Sequence, residues 1–314
     1  MTEYVLVVAG LAGLILGAEL LVRGGSAIAT RLGVSPLLVG LTVVSIGTSL
    51  PELAVGIDAT LNDAGPLAVG NIAGTNIVNI LLILGLSAAL VPLALRPQTV
   101  RFDLPVMVIS ALLLLILCAN GTLSRYDGLA LVAIAVAYTV WSIRQELVTR
   151  DTMPLENHTA QDARSMWWRG AQLVAGIGVV VIGAEWLVDG SVQVATDLGV
   201  SEAFIGLTII AIGTSAPELA TTVMSTIRGD RDLAIGNLIG SSVYNVTFIL
   251  GATALVRPLE VTDELIRIDI PLMAAVALLC IPVFITGRKV TRAEGVGFVL
   301  VYCVYLGLLI AFRT

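Results

Sequence analysis

Charged residues are scarce in this sequence of 314 residues. Asp, Glu, Lys and Arg together make up 13% of it, whereas a soluble globular domain carries about 25%. The net charge is −6, and Lys289 is the one lysine, so no polybasic stretch is available for nucleic acid or anionic lipid. The composition therefore excludes a nucleic-acid binder and an ordinary cytosolic enzyme.

Cysteine and histidine are also rare. Cys118, Cys280 and Cys303 lie in apolar runs without CxxC spacing, which predicts small buried residues and excludes a disulfide scaffold or a zinc site. The single histidine, His158, lies in a polar stretch and is predicted to be solvated. It leaves no Ser–His arrangement for an intramembrane hydrolase.

Apolar residues fill the rest of the chain. They make up 57% of the sequence, and the mean hydropathy is +0.98. Apolar runs of about twenty residues recur from end to end, each long enough to cross a hydrocarbon core about 30 Å thick. The first run lacks the basic start of a signal peptide, so we interpret it as a spanning helix. We predict an all-α integral membrane protein with the lipid bilayer as its surroundings.

The chain contains one unit written twice. A shift of 166 residues aligns Gly17-Ala-Glu-Leu-Leu-Val with Gly183-Ala-Glu-Trp-Leu-Val, and about half of residues 30–85 recur without a gap. We expect a first five-helix repeat at 1–145, with its motifs in 40–85, and a second at 169–314, with its motifs in 206–251. The polar stretch 146–168 is the predicted linker.

Five predicted spans in each unit require that the two units have opposite orientations in the membrane. The spans lie near residues 4–23, 35–61, 67–91, 104–119 and 127–145, and near 169–188, 201–227, 233–256, 269–286 and 293–312.

Arginine and lysine are distributed unequally between the two predicted sides of the membrane. The side of the linker takes Arg23, Arg31, Arg96, Arg101, Arg144, Arg150, Arg164, Arg169, Arg228, Arg231, Arg288, Lys289 and Arg292. The other side takes Arg125, Arg257, Arg267 and Arg313. The positive-inside rule predicts a cytoplasmic linker and both termini outside, in a cell membrane. Inverted repeats are typical of secondary transporters, with the substrate between the copies; a duplicated scaffold without transport is the alternative.

The second span of each unit carries an acidic signature, Gly47-Thr-Ser-Leu-Pro-Glu52 and Gly213-Thr-Ser-Ala-Pro-Glu218. Proline removes an amide donor and clashes with the carbonyl four residues earlier. We therefore predict that each helix breaks in mid-membrane, which is tolerable only where the freed backbone lines a cavity or protein.

The third span carries a partner motif, Gly70-Asn-Ile-Ala-Gly-Thr-Asn-Ile-Val-Asn79 and Gly236-Asn-Leu-Ile-Gly-Ser-Ser-Val-Tyr-Asn245. Its paired glycines allow close helix packing. Thr75 lies four residues before Asn79, and Ser241 lies four before Asn245, so each pair shares one helix face.

Both motifs supply oxygen donors: two carboxylates, hydroxyls, amides and freed carbonyls. Hard cations such as Ca²⁺ prefer oxygen ligands of this kind, whereas Zn²⁺ and Cu⁺ prefer nitrogen or thiolate ligands. Two carboxylates match one divalent ion by charge. Several Na⁺ could compete for the same oxygens, and no anionic substrate fits.

The glutamates are the strongest candidates because mid-membrane acids are costly. Other polar residues have competing explanations. Serine and threonine often bond back to their own helix, Asn79 and Asn245 could be interhelical packing groups, and Asn71 and Asn237 could be helix caps.

Four further acids are predicted to lie outside the site. Glu19 should pair with Arg23 four residues on. Asp103 and Asp269 resemble helix N-terminal caps before proline, and Asp58 aligns with Met224 rather than with an acid.

At these paired motifs the sequence resembles the cation/Ca²⁺ exchanger superfamily, and within it the prokaryotic Na⁺/Ca²⁺ exchangers. The resemblance implies ten helices around four clustered ion sites, with Glu52 and Glu218 as the principal Ca²⁺ ligands that also serve Na⁺. It assigns oxygens of Thr48 and Thr214 to the Ca²⁺ site. Flanking Na⁺ sites and a central position would take Ser49, Ser215, Thr75, Ser241, the carbonyls of Ser45 and Ala211, and Asn79 with Asn245.

The resemblance implies an electrogenic antiporter, not an enzyme, that exports cytoplasmic Ca²⁺ on Na⁺ entry, three Na⁺ for each Ca²⁺, by alternating access. The first span of each unit would slide across the bundle. Amides at Asn79 and Asn245 argue against K⁺ co-transport, and the absence of an acid shortly after each Gly-Asn favours Na⁺ over H⁺. Ca²⁺/H⁺ exchange, K⁺-dependent exchange and a passive channel remain alternatives. No cofactor or protein partner is implied, and a monomer is expected to function.

Overall fold

The computed structural model describes residues 2–151, 163–199, 209 and 211–313. Its long helices alternate with short connections, and several of them contain a π-helical turn. The helices of the first half are α1 (Thr2–Leu32), α2 (Pro36–Thr48), α3 (Leu50–Leu61), α4 (Gly65–Leu90), α5 (Thr99–Asn120) and α6 (Arg125–Asp151). Those of the second half are α7 (Ala163–Asp197), α8 (Ala211–Thr214), α9 (Ala216–Arg228), α10 (Arg231–Val256), α11 (Leu265–Ile285) and α12 (Arg292–Arg313).

The predicted break in the second span is confirmed. Helices α2 and α3 meet at Ser49 with a bend of 41°, and Ser215 separates α8 from α9 with nearly the same backbone angles. In the described residues, eight helices are long and apolar enough to span a membrane, or nine with the bent pair α2–α3. The start of the predicted span 201–227 and the middle of the linker, including His158, lie outside the described residues.

Two short strand pairs show that the repeats are inverted. Strand β1 (Leu93–Ala94) pairs with β4 (Lys289–Val290), and β2 (Thr122–Leu123) pairs with β3 (Leu259–Glu260). Helix α5 alone separates β1 from β2, so the two pairs lie at opposite ends of the bundle. Strand β3 is the repeat equivalent of β1. Equivalent segments therefore occupy opposite faces.

Polar contacts tie the helix ends together at each face. At the end that leads into the linker, Arg96 Nη2 lies 2.5 Å from Asp232 Oδ2, and the Ser35 hydroxyl donates to Glu146 at 2.9 Å. At the opposite end, Arg257 pairs with Asp63 at 2.6 Å. The two ion pairs therefore join the two halves, one at each end of the bundle, and the bond from Ser35 fixes the start of α2 against α6.

Glu19 forms the predicted helix-face ion pair with Arg23, at 2.5 Å. It also accepts from Arg228 Nε at 2.8 Å. The first helix is thereby attached to the end of α9.

Helices α1 and α7 pack closely along their length. Gly10, Gly17 and Gly24 face the backbone of α7, and their repeat equivalents face α1 in the same way. A methyl group at Gly17 would lie 2.5 Å from the Val180 nitrogen, and one at Gly176 would lie 2.4 Å from the Leu21 nitrogen. Only glycine permits this approach.

The core lies between α4, α5, α10 and α11, and it contains Cys118 and Cys280 as predicted. The prediction for Cys303 is wrong, because this residue is exposed on α12. An apolar helix in a membrane can present a cysteine outward as readily as inward.

The prediction that Asp103 and Asp269 cap helices is also wrong. Both residues have helical backbone angles, and neither side chain makes a capping hydrogen bond. The reason is that α5 and α11 begin earlier than expected, with π-helical turns at Thr99–Asp103 and Leu265–Asp269. Each aspartate therefore lies inside its helix.

Candidate ion-binding site

The bend between α2 and α3 places the first acidic signature inside the bundle. Pro51 follows Ser49 by two residues and cannot donate to the carbonyl of Gly47. Thr48, Ser49 and Glu52 have no exposed surface. A carboxylate is thus held in the interior beside an interrupted helix.

The second signature forms the same arrangement at the junction of α8 and α9. Ser215 and Glu218 are also fully buried, and Thr214 is half-buried. Ala211 begins α8 one turn before Ser215. The two breaks supply equivalent groups from the two halves.

Hydrogen bonds join the two breaks directly. The Ser49 hydroxyl donates to Glu218 Oε1 at 2.9 Å. The Thr48 hydroxyl donates to Asn237 Oδ1 at 3.2 Å, and Asn237 Nδ2 donates to Thr222 Oγ1 at 3.0 Å. Glu52 and Glu218 are close enough for their charges to interact. Thr48, Ser49 and Glu52 of the first signature therefore form one cluster with Glu218 of the second.

Asn237 is a member of this cluster and not a helix cap. It lies in the middle of α10, fully buried, between Thr48 of the first half and Thr222 of its own half. Asn71, its equivalent, also lies inside a helix, is half-buried, and has an unpartnered Nδ2 among the described residues. The capping alternative is wrong for both.

Asn76 is a central residue that the sequence reasoning missed. Its Nδ2 donates to the Ser242 carbonyl at 3.2 Å, and its Oδ1 accepts from Asn245 Nδ2 at 3.3 Å. Ser242 occupies the position in the second repeat that Asn76 occupies in the first. The only sequence signal was an asparagine within the third-span motif. Because the second repeat has serine at the equivalent position, comparing the repeats did not single it out.

The serines and threonines predicted for the site differ in whether their hydroxyls make hydrogen bonds. Ser45 bonds back to its helix, its hydroxyl donating to the Leu41 carbonyl at 2.8 Å. The Ser45 carbonyl already accepts from the Ser49 amide at 3.1 Å. Thr75, Ser215 and Ser241 make no hydrogen bond through their hydroxyls among the described residues.

Unpartnered buried oxygens concentrate at this cluster. Most of the buried side-chain oxygens without a hydrogen-bond partner among the described residues belong to the motif spans: Glu52 Oε1 and Oε2, Glu218 Oε2, Asn79 Oδ1, Asn245 Oδ1, and the hydroxyls of Thr75, Ser215, Ser241, Thr221 and Ser225. Burying such groups without partners is costly. A hard cation would satisfy them together.

The charges of the cluster also favour a hard cation. No arginine or lysine forms an ion pair with Glu52 or Glu218 in the described part of the chain. No described group of three His, Cys, Asp or Glu residues is available for a transition metal. Two carboxylates among neutral oxygens suit one Ca²⁺ or several Na⁺.

Helix α9 extends the polar surface beyond the cluster. Thr221, Thr222 and Ser225 follow Glu218 along this helix and are fully buried. Their equivalents in the first half are Val55, Gly56 and Ala59. Buried hydroxyl groups therefore continue along α9 from Glu218 toward Arg228, whereas the equivalent positions of the first half carry no hydroxyl.

An inverted-repeat bundle with broken helices and a buried oxygen cluster between its halves is the architecture of a secondary transporter, and its oxygen ligands suit a cation. The family model described as sodium/calcium exchanger protein matches residues 2–144 and again 169–311. The chain belongs to the sodium/calcium exchanger family, whose members are cation/Ca²⁺ antiporters.

Relatives and solved structures agree with this assignment. The chain is 35% identical to the inner membrane protein YrbG of Escherichia coli over 97% of its length and 95% of the relative. It is 32% identical to the sodium/calcium exchanger MaX1 of Methanosarcina acetivorans, over 97% of each chain. The structure of the sodium-calcium exchanger NCX_Mj soaked without Na⁺ and Ca²⁺ superimposes with a TM-score of 0.85 at 27% identity. It covers 98% of this chain and 99% of that one.

Proposed function

We propose that this protein exchanges Na⁺ for Ca²⁺, exporting cytoplasmic Ca²⁺ on Na⁺ entry, with three Na⁺ for each Ca²⁺. The observation that carries the proposal is the bond from Ser49 of the first half to Glu218 of the second. It brings both acidic signatures to one buried cluster. The three-to-one ratio rests on the family resemblance alone.

The two carboxylates are the proposed Ca²⁺ ligands, and they serve Na⁺ as well. Glu52 has both oxygens free of hydrogen bonds among the described residues, and Glu218 has one. Thr48 and Thr214 complete the Ca²⁺ site.

The flanking oxygens are the proposed Na⁺ ligands. They belong to Ser49 and Ser215, Thr75 and Ser241, the carbonyls of Ser45 and Ala211, and Asn79 with Asn245 at the centre. Because these groups are neutral, they suit a monovalent ion that draws on the nearby carboxylates for charge. Ca²⁺ and Na⁺ then compete for the glutamates, as exchange requires.

Access would alternate only when an ion is bound, because the empty cluster resists closing. Unneutralised carboxylates repel one another in a low dielectric, so closure needs either Ca²⁺ or Na⁺. Helices α1 and α7 are the proposed moving pair. Their close packing through glycines supports movement as one body.

Sodium is the proposed counter-ion rather than H⁺ or K⁺. The central amides Asn79 and Asn245 add no third carboxylate to the cluster, which supports a site without K⁺. Radioactive Ca²⁺ uptake into proteoliposomes tests this choice, with vesicles loaded with Na⁺, K⁺ or acid. We expect Ca²⁺ uptake only into vesicles loaded with Na⁺. Uptake into acid-loaded vesicles would instead indicate a Ca²⁺/H⁺ antiporter.

The protein is proposed to lie in the cell membrane as a monomer, with a cytoplasmic linker and both termini outside. The linker face carries most of the arginines, which supports this orientation. In a cysteine-free variant, His158→Cys and Asp263→Cys report the two faces. A membrane-impermeant maleimide applied to intact cells should label Asp263→Cys only; labelling of His158→Cys instead would reverse the orientation.

A further inference from the structure

Asp103 is a third fully buried carboxylate, on α5 and outside the exchange cluster. Its Oδ1 accepts a hydrogen bond from the Tyr138 hydroxyl at 3.2 Å. Its Oδ2 has no hydrogen-bond partner, and no arginine or lysine of the described chain pairs with it. A carboxylate buried in this way needs either a counter-charge or a proton to neutralise it.

Hydroxyl groups surround this carboxylate. Thr99 lies one turn before Asp103 and close to it, and Ser142 lies one turn after Tyr138 on α6. Both residues are fully buried, and among the described residues their hydroxyls lie near Asp103 and Tyr138 without forming a hydrogen bond of ordinary geometry. Pro105 lacks an amide hydrogen, so a backbone carbonyl of the preceding turn is also left without that partner.

The second half lacks this polar pocket. Asp269 is the equivalent of Asp103, but the equivalents of Thr99, Tyr138 and Ser142 are Leu265, Val304 and Leu308. Val304 and Leu308 are exposed on α12. The arrangement around Asp103 is therefore particular to the first half, and Asp269 provides a matched control.

We propose that Asp103, Tyr138, Thr99 and Ser142 bind one monovalent cation of the Na⁺ type, separately from the exchange cluster. The donors are all oxygens, as Na⁺ prefers, and one carboxylate matches one positive charge. A divalent ion would leave a net charge buried. The site requires only these side chains and does not depend on the proposed exchange mechanism.

The pocket adjoins the exchange cluster through two aromatic rings. Tyr138 and Tyr244 have ring centroids 6.0 Å apart, and the Tyr244 hydroxyl lies 2.6 Å from the Thr139 hydroxyl. Tyr244 precedes Asn245 directly. A cation at Asp103 would thus stabilise the junction of α5 and α6 against the part of α10 that carries a proposed ligand.

Thermal unfolding of the full-length protein in detergent tests the site. The double variant Glu52→Gln, Glu218→Gln removes the carboxylates of the exchange cluster and serves as the background. Replacing choline chloride by NaCl at constant ionic strength should raise its Tm by a few degrees, because ligand binding stabilises the folded state. Adding Asp103→Asn should abolish the rise, and adding Asp269→Asn should leave it intact.

Three results would overturn the proposal: no Na⁺-dependent rise in the background, the same rise with Asp103→Asn, or loss of the rise with Asp269→Asn as well. The first two would leave Asp103 as a protonated partner of Tyr138. If Asp103→Asn does not fold, Ser142→Ala and Thr99→Val each remove one oxygen, and unchanged Na⁺ dependence in both would equally overturn it. Ca²⁺ uptake is not measured here, so failure of this site is separate from failure of the exchange function.

Discussion

Glu52 and Glu218 occupy equivalent positions but have different surroundings. Ser49 donates to Glu218, whereas the equivalent Ser215 hydroxyl makes no hydrogen bond among the described residues. Glu52 likewise has no hydrogen-bond partner there. The two carboxylates therefore share one cluster without being interchangeable within it.

Removing either carboxylate should disable transport. We expect Glu52→Gln and Glu218→Gln each to weaken Ca²⁺ binding by about tenfold or more, because a charged ligand contributes about 1.5–3 kcal/mol. Uptake into Na⁺-loaded proteoliposomes measures the loss. Glu185→Gln, an exposed acid on α7, should transport normally; equal losses in all three variants would contradict a site-specific role.

Asn76 should contribute to stability as well as to the site. Asn76→Ala leaves Asn245 Nδ2 buried without its partner, at an expected cost of about 1–3 kcal/mol. The thermal unfolding midpoint in detergent should fall by several degrees. Asn62→Ala, at an exposed position, is the control, and a similar small effect of both changes would rule out the bridging role.

At the level of elements, proline chemistry made the helix breaks predictable. Pro51 and Pro217 follow glycine by four residues, and the bends appear where the missing amide hydrogen requires them. The π-helical turns were not predictable in the same way. A π-helical turn has one more residue than an α-helical turn. Because such turns begin α5 and α11, Asp103 and Asp269 lie inside their helices and not at the expected cap positions.

The contact of α1 with α7 depends on glycines spaced seven residues apart, and this spacing was present in the sequence. Gly176→Ala should disturb that contact, because the added methyl would lie 2.4 Å from the Leu21 nitrogen. Overpacking of this kind costs about 1–3 kcal/mol, so both the unfolding midpoint and the transport rate should fall.

Gly178→Ala is the matched control for the same helix. A methyl at Gly178 would meet no atom within 4 Å, so this change should be neutral or slightly stabilising. If Gly176→Ala behaved like Gly178→Ala, the close packing would not limit either folding or movement.

For the whole molecule, the internal repeat carried most of the predictive information. The 166-residue shift, the odd number of spans and the unequal distribution of arginine and lysine together predicted an inverted pair, and the strand pairing shows it. Site contacts between the halves could not be predicted. The bonds from Ser49 to Glu218 and from Asn76 to Asn245 depend on how the two bundles dock.

Competition between Ca²⁺ and Na⁺ for one cluster is the central claim, and equilibrium binding tests it directly. Radioactive Ca²⁺ binding to the purified protein should fall more steeply than one-for-one as Na⁺ rises, because several Na⁺ displace each Ca²⁺. Glu52→Gln and Glu218→Gln should each lose Ca²⁺ binding. Ca²⁺ binding that is insensitive to Na⁺, or that persists in both variants, would contradict the account.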